Sequence, residues 1–339
     1  EENLGEGYVR LRVSEAERRQ AKHDIQHVED IVIEMLRNAR DAGADKVYLA
    51  TTKEEGVRTL LFLDNGSGVP QDMQERIFDA RVTSKLESMK MDRWGVHGRG
   101  MALFSIKQNT DEARVVTSGV DLGSSFKVRV ATERLGERAD QSSWPQAVKD
   151  EDGRYVCARG PHNIIRAACE FALEELRCCD VYLGSPSEIA ATLYAQASSC
   201  LDTSRLLFID DECELPVIDR LGLASDAEDF IRICSGLGLE MSERTAHRIL
   251  SGQIKPVRGV TARLLRERDS TSHAPAPVDL AKDRRGLRIA KDDMAQFSRA
   301  VERDFNDLAA RYYLNLCGDP KIRVSRDRIT VTFDLAKEE

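Results

Sequence analysis

Apolar residues recur at helical intervals between residues 23 and 42, and charged residues occupy the positions between them. The apolar positions are Ile25, Val28, Ile31, Val32, Met35, Leu36 and Ala39. This pattern predicts an amphipathic helix, which Gly43 ends. Apolar alternation at 47–49 and an apolar run at 60–63 predict two strands, joined by a polar turn at 54–56.

Helical and strand patterns continue to alternate in the next stretch. Pro70 precedes a short helix predicted over 71–78, since proline is tolerated at the first helical position. Apolar periodicity predicts another helix over 99–108, and the segments 113–117 and 125–130 predict a pair of strands. The elements together predict an α/β (α+β) fold.

A polar, aperiodic stretch from 132 to 160 has the character of a boundary or an excursion, and we place the first domain at residues 1–135, ending near Leu135. Residues 136–268 form a predicted second α/β region. Its predicted helices cover 164–176 and 186–197, and its predicted strands cover 181–183 and 206–209.

A second boundary is predicted at 269–277, where a Ser-Thr-Ser-His-Ala-Pro-Ala-Pro run cannot sustain a helix. Residues 278–335 beyond it are predicted to form a small C-terminal α+β unit. This unit combines a helix over 292–316 with a hairpin of strands 322–324 and 329–333.

Composition narrows the classes of function. Apolar residues make up 41% of the chain and charged residues 32%, as in an ordinary soluble globular protein. A net charge of −8 argues against a protein that coats nucleic acid, although a local basic face is compatible with it. No apolar run is long enough to cross a bilayer, and the polar start has no signal-peptide pattern, so we expect a cytoplasmic protein without a membrane partner. The eight cysteines lack C-x-x-C spacing and are expected to be reduced thiols.

Glu34 and Asn38 are the first candidate site residues. Their spacing of four places both on one face of the predicted helix. A carboxylate at that position can activate a water molecule, and an amide oxygen one turn later can ligate magnesium. A solvated helix face is the alternative interpretation.

Two glycine-containing turns are further candidates. Asp64 directly follows the apolar strand, and Gly66 and Gly68 would let the backbone turn beside a flat ligand whose exocyclic amine donates to the carboxylate. The glycine-rich loop 95–100 precedes a predicted helix, whose N-terminal amides could bind phosphate. Ser124 opens the last strand and would add a hydroxyl beside Asp64. An ordinary turn after a strand is the alternative for the Asp64 motif, and the glycine-rich loop alone is a weak signal.

In this order the four motifs resemble the N, G1, G2 and G3 boxes of the GHKL ATPases, a family that includes DNA gyrase B, the ninety-kilodalton heat-shock chaperone, histidine kinases and MutL. The resemblance covers roughly residues 20–131 and implies a two-layer Bergerat sandwich that binds ATP and Mg²⁺. It implies that Glu34 is the general base, that Asn38 is the magnesium ligand and that Asp64 recognises adenine. The implied nucleotide-binding residues are Asn38, Asp41, Asp64, Gly66, Gly68, Lys85, Gly95, Val96, His97, Gly98, Arg99, Gly100 and Ser124.

The resemblance also assigns the segment 79–94 to a mobile ATP lid. The tripeptide at 83–85 resembles the T-S-K of MutL, and the stretch 41–44 looks most like MutL and more distantly like the ATP-binding component of topoisomerase VI. Lys85 would bring a cation to the phosphates, with a solvated lysine as the alternative. In those relatives a transducer domain follows and ATP closes two subunits, which implies a homodimer, but no transducer pattern follows Leu135 in this chain.

Glu34 also discriminates between branches of the family. Histidine kinases usually carry asparagine there, whereas hydrolysis needs the base, so Glu34 favours an ATPase. Phe78 and the strand 123–130 nevertheless look kinase-like, and the dehydrogenase kinases keep a glutamate. A protein kinase that transfers the γ-phosphate to a protein is therefore the alternative. His23 could accept phosphate, but it lacks the rest of an H box, and a surface or capping histidine is the competing interpretation.

The pattern at 226–252 predicts a helix, a turn and a helix. Ser242 is a good N-cap, and Arg244, Thr245 and Arg248 could point outward toward DNA, although such helix pairs also occur as plain packing units. The leading hypothesis is Mg²⁺-dependent ATP hydrolysis that drives a conformational or dimerisation switch in a DNA-associated machine or with an unidentified protein partner. A nucleotide-sensing DNA-binding regulator is a further alternative.

Overall fold

The computed structural model describes residues 2–83, 90–92, 94–97, 100–176, 178–200, 211–265, 291–309, 314–318, 320–324 and 329–337. The chain divides into two compact units, residues 1–269 and 270–339, which are described separately. Its helices are α1 (Glu15–Asp24), α2 (Val28–Asp41), α3 (Ala102–Asn109), α4 (Ile164–Glu174), α5 (Pro186–Cys200), α6 (Ala227–Leu237), α7 (Glu243–Leu250) and α8 (Lys291–Ala309). Its strands are β1 (Glu2–Gly5), β2 (Tyr8–Arg10), β3 (Lys46–Glu54), β4 (Val57–Asp64), β5 (Val82–Thr83), β6 (Lys90–Asp92), β7 (Gly95–His97), β8 (Glu112–Ser118), β9 (Ser124–Ala131), β10 (Gln146–Lys149), β11 (Tyr155–Arg159), β12 (Asp180–Gly184), β13 (Leu314–Leu316), β14 (Lys321–Val324), β15 (Ile329–Thr332) and β16 (Leu335–Lys337).

A five-stranded sheet of order β12-β3-β4-β9-β8 lies at the centre of the first unit. The strands β3, β4, β9 and β8 are antiparallel neighbours, whereas β12 runs parallel to β3. Glu55 and Gly56 join β3 to β4 with φ angles of 49° and 80°, the geometry of a tight hairpin turn whose twist matches its strands. The structure confirms the strands predicted at 47–49, 60–63, 113–117, 125–130 and 181–183.

Helices cover both faces of this sheet. Leu60 and Phe62 of β4 belong to a core shared with α2 and α4, whereas Leu61 and Leu63 belong to a core shared with α5, α6 and α7. The continuous apolar run in β4 follows from this arrangement, because a strand buried on both faces needs apolar residues at every position. The sheet and the helices on its first face form the two-layer sandwich that the resemblance implies. The helices α5, α6 and α7 add another layer on the opposite face.

The structure differs from the expected boundary near Leu135. The strand β12 extends the same sheet through the pairing of Val181 with Val47, and α4 packs against α2. Because the edge of the sheet and its first core both require residues beyond 160, the polar stretch 132–160 is an excursion within one unit. The division between the two units falls at the start of the other expected boundary, 269–277.

The helix predicted over 23–42 begins later in the structure, at Val28. The Asp30 carboxylate accepts hydrogen bonds from the backbone N–H groups of Gln26 and His27, both at 2.8 Å. These bonds satisfy amide groups at the start of α2, because a side-chain oxygen replaces the missing helical acceptors. The residues before this point belong instead to α1 and to a short connection.

Other predicted helices differ in type or extent. The segment 71–78 forms two 3₁₀ turns, because its backbone N–H groups bond to carbonyls three residues earlier. The helix predicted over 99–108 begins at Ala102, since Gly100 has a left-handed φ of 67° that an α-helix excludes. The strand predicted at 206–209 lies outside the described residues.

The second unit contains α8 and two antiparallel strand pairs, β13 with β16 and β14 with β15. Its β14–β15 pair confirms the predicted hairpin. The helix predicted over 292–316 is shorter, because residues 314–316 pair with β16 as a strand. The rings of Phe305 and Phe333 stack with centroids 4.1 Å apart, so α8 contacts the strand region through an aromatic pair.

Among the helices that the structure describes, none combines the length and the apolar character that a bilayer crossing requires.

Candidate functional site

A cavity of about 590 Å³ opens between α2, the ends of β4 and β9, the start of α3 and the N-terminal segment. The predicted site residues that line it are Glu34, Asn38, Asp41, Asp64, Gly68, Gly100 and Ser124. The predicted residues Lys85, Gly98 and Arg99 lie outside the described residues. The structure thus brings together α2, the turn after β4 and the start of β9 at one cavity, although they are far apart in the sequence.

Asp64 lines this cavity from the last position of β4. Its side chain is buried, and Ser124 is its neighbour across the β4–β9 pair. The Gly66 N–H donates to Asp64 Oδ1 at 2.8 Å, and the Ser124 hydroxyl donates to Asp64 Oδ2 at 3.0 Å. These donors orient the carboxylate, whose two oxygens can each accept more than one hydrogen bond.

Two glycines shape the backbone around Asp64. Gly68 has φ 68°, and a Cβ atom there would lie 1.9 Å from the carbonyl oxygen of Gly119. Gly123 has φ 77°, and a Cβ atom there would lie 2.0 Å from the carbonyl oxygen of Asp64. Only glycine accommodates both the left-handed conformation and these close approaches. The G1 turn and the turn before β9 therefore pack backbone against backbone, which fixes the position of the Asp64 carboxylate.

Glu34 and Asn38 project from successive turns of α2 and line the same cavity. The Glu34 side chain is 21% exposed, and its Oε1 accepts a hydrogen bond from Arg37 Nη1 at 2.7 Å. The carboxylate therefore keeps access to water while an arginine on its own helix holds one oxygen. This is the arrangement that a general base needs, since it must reach a water molecule and keep a defined orientation.

A largely buried group of charges adjoins these residues, and no sequence motif indicated it. Arg37 Nε and Nη2 donate to Asp92 Oδ2 and Oδ1 at 2.9 and 3.0 Å. Arg40 donates to Asp41 at 2.9 Å, to Glu175 at 3.0 Å and to Asp92 at 3.2 Å. Burial alone would lower the pKa of Arg40, but its hydrogen bonds to Asp41 and Glu175 outweigh burial and raise that pKa.

The predicted phosphate loop is partly a strand. Gly95, Val96 and His97 form β7, which pairs with β6 in the register Val96 to Met91. The carbonyl of Gly100 accepts the Arg81 N–H at 2.8 Å, which places the end of the loop against β5 and directly before α3. The start of α3 lines the cavity, and its N-cap residue Met101 makes no side-chain capping hydrogen bond.

The N-terminal segment contributes a wall that no motif predicted. The strand β2 pairs with β5 through Val9 and Thr83, which lies within the predicted lid. Tyr8, Gln20 and Asp24 line the cavity from this segment. The sequence gives no local signal for this placement, because the pairing joins residues more than seventy positions apart.

The cavity fits a nucleotide with magnesium. Gly66 brings its backbone N–H to the Asp64 carboxylate, and Asn38 of α2, which has an amide oxygen, lines the same cavity. The described residues contain no cluster of three His, Cys, Asp or Glu side chains that could hold a metal by itself. A magnesium ion held by one or two protein oxygens and by phosphate oxygens agrees with this donor set, since Mg²⁺ usually retains substrate and water ligands.

A second surface carries the predicted helix pair. The helices α6 and α7 are joined at Gly238, which ends α6 in a left-handed conformation, and Ser242 caps α7. Arg244 and Arg248 are exposed and Thr245 is partly exposed. The opposite side of α7 packs into the core that contains Leu61 and Leu63 of β4. The three predicted contact residues therefore share an accessible face.

Comparison with known proteins gives matches to part of the first unit. Residues 25–140 match the family described as histidine kinase-, DNA gyrase B- and HSP90-like ATPase. The DNA mismatch repair protein MutL of Pediococcus pentosaceus is 31% identical over 115 residues, which is 33% of this chain and 17% of that protein. The MutL proteins of Thermodesulfovibrio yellowstonii and Staphylococcus aureus strain Newman are 32% and 34% identical over 100 and 136 residues. These matches cover 29% and 37% of this chain and 18% and 20% of the relatives.

The matched segment thus spans a fifth or less of the length of these relatives. It contains Glu34, Asn38, Asp64 and Ser124, all of which line the cavity. By sequence and by fold, residues 25–140 form a GHKL domain of the histidine kinase-, DNA gyrase B- and HSP90-like ATPase family.

Proposed function

We propose that this protein binds ATP with magnesium in the cavity and hydrolyses it to ADP and phosphate. The observation that carries the proposal is that four residues line one cavity. Asp64 and Ser124 line it from β4 and β9, and Glu34 and Asn38 line it from α2. The membership of residues 25–140 in an ATPase family supports the same chemistry. The cavity is also large enough for a nucleotide, since small-molecule sites typically have volumes of about 300–1,000 Å³.

The proposed roles follow from the side-chain chemistry. Asp64 accepts a hydrogen bond from the exocyclic amine of adenine, and the Ser124 hydroxyl keeps the carboxylate oriented. Glu34 takes a proton from water as the water oxygen forms a bond to the γ-phosphorus and the bond to the β-phosphate oxygen breaks. Asn38 would hold a magnesium ion, and that ion would supply positive charge to the phosphate oxygens.

Hydrolysis is tested with γ-labelled ATP and magnesium, comparing the parent with Glu34→Gln. Glutamine keeps the size of the side chain but cannot take the proton, so we expect phosphate release to fall by about 10²- to 10⁴-fold. Binding of a non-hydrolysable ATP analogue should persist. Glu75→Gln is the matched control, because Glu75 is exposed and does not line the cavity.

Two results would change the assignment. Parent-like phosphate release by Glu34→Gln would remove Glu34 as the base. Label retained on the protein would instead favour the kinase alternative, in which the γ-phosphate is transferred to a side chain.

We further propose that ATP changes the conformation or the dimerisation of the full chain, as part of a machine that involves DNA or another protein. The similarity of residues 25–140 to MutL proteins supports this role. Light scattering after gel filtration, with and without the ATP analogue, measures the mass directly. An unchanged mass together with unchanged protease sensitivity would argue against such a switch.

DNA contact is the part of this proposal that the exposed face of α7 supports. Replacing Arg244 and Arg248 by alanine should weaken duplex binding and reduce the salt dependence of log K by about 1.8, since each lost phosphate contact accounts for about 0.9. Arg154→Ala with Arg159→Ala removes the same charge from exposed positions of the β10–β11 hairpin and is the control. Equal salt dependence in both double variants would exclude this face as the DNA site.

A further inference from the structure

Arg37 is almost fully buried one turn beyond Glu34 on α2, with only 3% of its side chain exposed. Its guanidinium lies between two carboxylates. Nη1 donates to Glu34 Oε1, while Nε and Nη2 donate to the two oxygens of Asp92. A planar guanidinium held by a two-point contact on one side has a fixed orientation, so the donor that it presents on its other side is fixed as well.

Asp92 is in turn anchored by groups other than Arg37. Arg40, one turn closer to the end of α2, donates to Asp92 Oδ2 at 3.2 Å. The backbone N–H of Trp94 donates to Asp92 Oδ1 at 3.0 Å, and the Trp94 ring stacks on Phe171 of α4 with centroids 6.3 Å apart. The segment around Asp92 is therefore attached to α2 by charge and to α4 by an aromatic contact.

We propose that Arg37 is a positioning residue for Glu34 and that Asp92 locks Arg37 in the orientation that this requires. This role rests on the proposed hydrolysis, because positioning has meaning only if Glu34 is the base. Arg37 also lines the cavity, and its proposed effect on the reaction passes through Glu34, to which Nη1 donates at 2.7 Å. Hydrogen bonds connect Asp92 to Arg37 and Arg37 to Glu34, so the end of the predicted lid is connected to the base. Water activation therefore depends on the attachment of the segment around Asp92 to α2.

A positioning role predicts a selective loss of turnover. Without the Asp92 charge, Arg37 can rotate and Glu34 loses its fixed donor, while the adenine end of the cavity is unchanged. A misplaced catalytic group costs up to about a hundredfold in rate, so we expect kcat of Asp92→Asn to fall about ten- to hundredfold. The Kd for a non-hydrolysable ATP analogue should change by a smaller factor than kcat, since Asp92 itself does not line the cavity and acts on it only through Arg37 and Trp94.

Trp94 provides a readout that does not depend on activity. The chain has two tryptophans, so Trp144→Phe leaves Trp94 as the only indole, and phenylalanine keeps a ring for the Arg263 contact. In this background Asp92→Asn should shift the Trp94 emission to longer wavelength and increase its quenching by acrylamide. Asp72→Asn is the matched control, because Asp72 is exposed on a 3₁₀ turn.

The full set of variants is Asp92→Asn, Asp92→Glu, Arg37→Lys and the double variant Asp92→Asn with Arg37→Lys. Asp92→Glu retains the charge and should recover most of the lost kcat. Lysine cannot hold two carboxylates in the same geometry, so Arg37→Lys should lower kcat by a larger factor than it weakens analogue binding. The double variant should be no slower than the slower single variant, because both changes remove the same interaction.

Some outcomes would overturn the positioning role. Parent-like kcat in Asp92→Asn and Arg37→Lys, with Glu34→Gln inactive, would reject it and leave the proposed hydrolysis intact. Independent, multiplicative effects in the double variant would also reject it, and so would a loss of analogue binding that matches the loss of kcat. Should Asp92→Asn fail to fold by circular dichroism, Arg37→Lys and Asp92→Glu decide the question. Absence of phosphate release by the parent protein would instead refute the proposed function itself, and parent-like release by Glu34→Gln would remove Glu34 as the base.

Discussion

Replacing Gly123 by alanine should damage both the fold and the nucleotide site. Gly123 has φ 77°, a conformation that costs an L-residue about 1–2 kcal/mol. The added Cβ atom would also lie 2.0 Å from the carbonyl oxygen of Asp64 and 2.9 Å from its carbonyl carbon. Relieving that overlap requires movement of the backbone, and overpacking of this kind costs about 1–3 kcal/mol. The free energy of unfolding should therefore fall by about 2–5 kcal/mol.

Gly153 offers a control with nearly the same backbone conformation. Its φ is 78°, and a Cβ atom there would have no heavy atom within 4 Å. Gly153→Ala should thus cost only the conformational part, about 1–2 kcal/mol. Urea denaturation of the parent and of both variants separates the two contributions, because the difference between the variants measures the contact with Asp64.

Gly123→Ala should also weaken binding of the ATP analogue. Displacing the Asp64 carbonyl also moves its carboxylate, so Gly123→Ala should bind the ATP analogue at least about tenfold more weakly, a change of about 1.4 kcal/mol. Gly153→Ala should bind it like the parent. Equal unfolding free energies for the two variants, or parent-like analogue affinity of Gly123→Ala, would refute the role assigned to this close approach.

Other substitutions test individual contacts. Asp64→Asn should weaken binding of the ATP analogue by about ten- to hundredfold in a calorimetric titration, because a hydrogen bond to a charged group contributes about 1.5–3 kcal/mol. Burial would raise the pKa of Glu137, but the hydrogen bonds and charges of Arg58 and Lys53 outweigh it and lower that pKa. The resulting stability is complete above the ordinary value of 4.5 and is lost as the pH falls through the lowered pKa, so the difference in unfolding free energy between the parent and Glu137→Gln should shrink in acid. Burial raises the pKa of Cys234 to about 12, and this thiol should therefore resist alkylation at pH 8 until denaturant is added, as measured by peptide mass spectrometry.

The parts of the fold that local patterns determine could be predicted from the sequence. The hairpin of β3 and β4 follows from apolar positions around a polar turn, and the alternation in β8 and β9 has the same origin. The site residues Glu34, Asp64 and Ser124 could be predicted because their motifs occur in a fixed order along the chain. The structure brings all three to one cavity.

The parts that depend on distant partners could not be predicted in this way. Asp92 lies 55 positions from Arg37, and a lone acidic residue in a polar segment carries no signal of a buried ion pair. The Asp30 cap that delays the start of α2 depends on a backbone conformation that apolar periodicity does not report. The expected boundary near Leu135 had a similar cause, since local polarity cannot show which strand completes the sheet.

The parallel strand β12 has a consequence for the order of events during synthesis. Until it arrives, β3 is an outer strand of the sheet with its hydrogen-bonding groups unpaired, and such edges are prone to pair with other chains. Roughly 130 residues separate the end of β3 from the end of β12. At about 5–20 residues per second the ribosome needs on the order of ten seconds to supply them. The nascent GHKL domain therefore passes through an interval in which its edge is open to intermolecular pairing, and chaperone binding during translation would protect it at that stage.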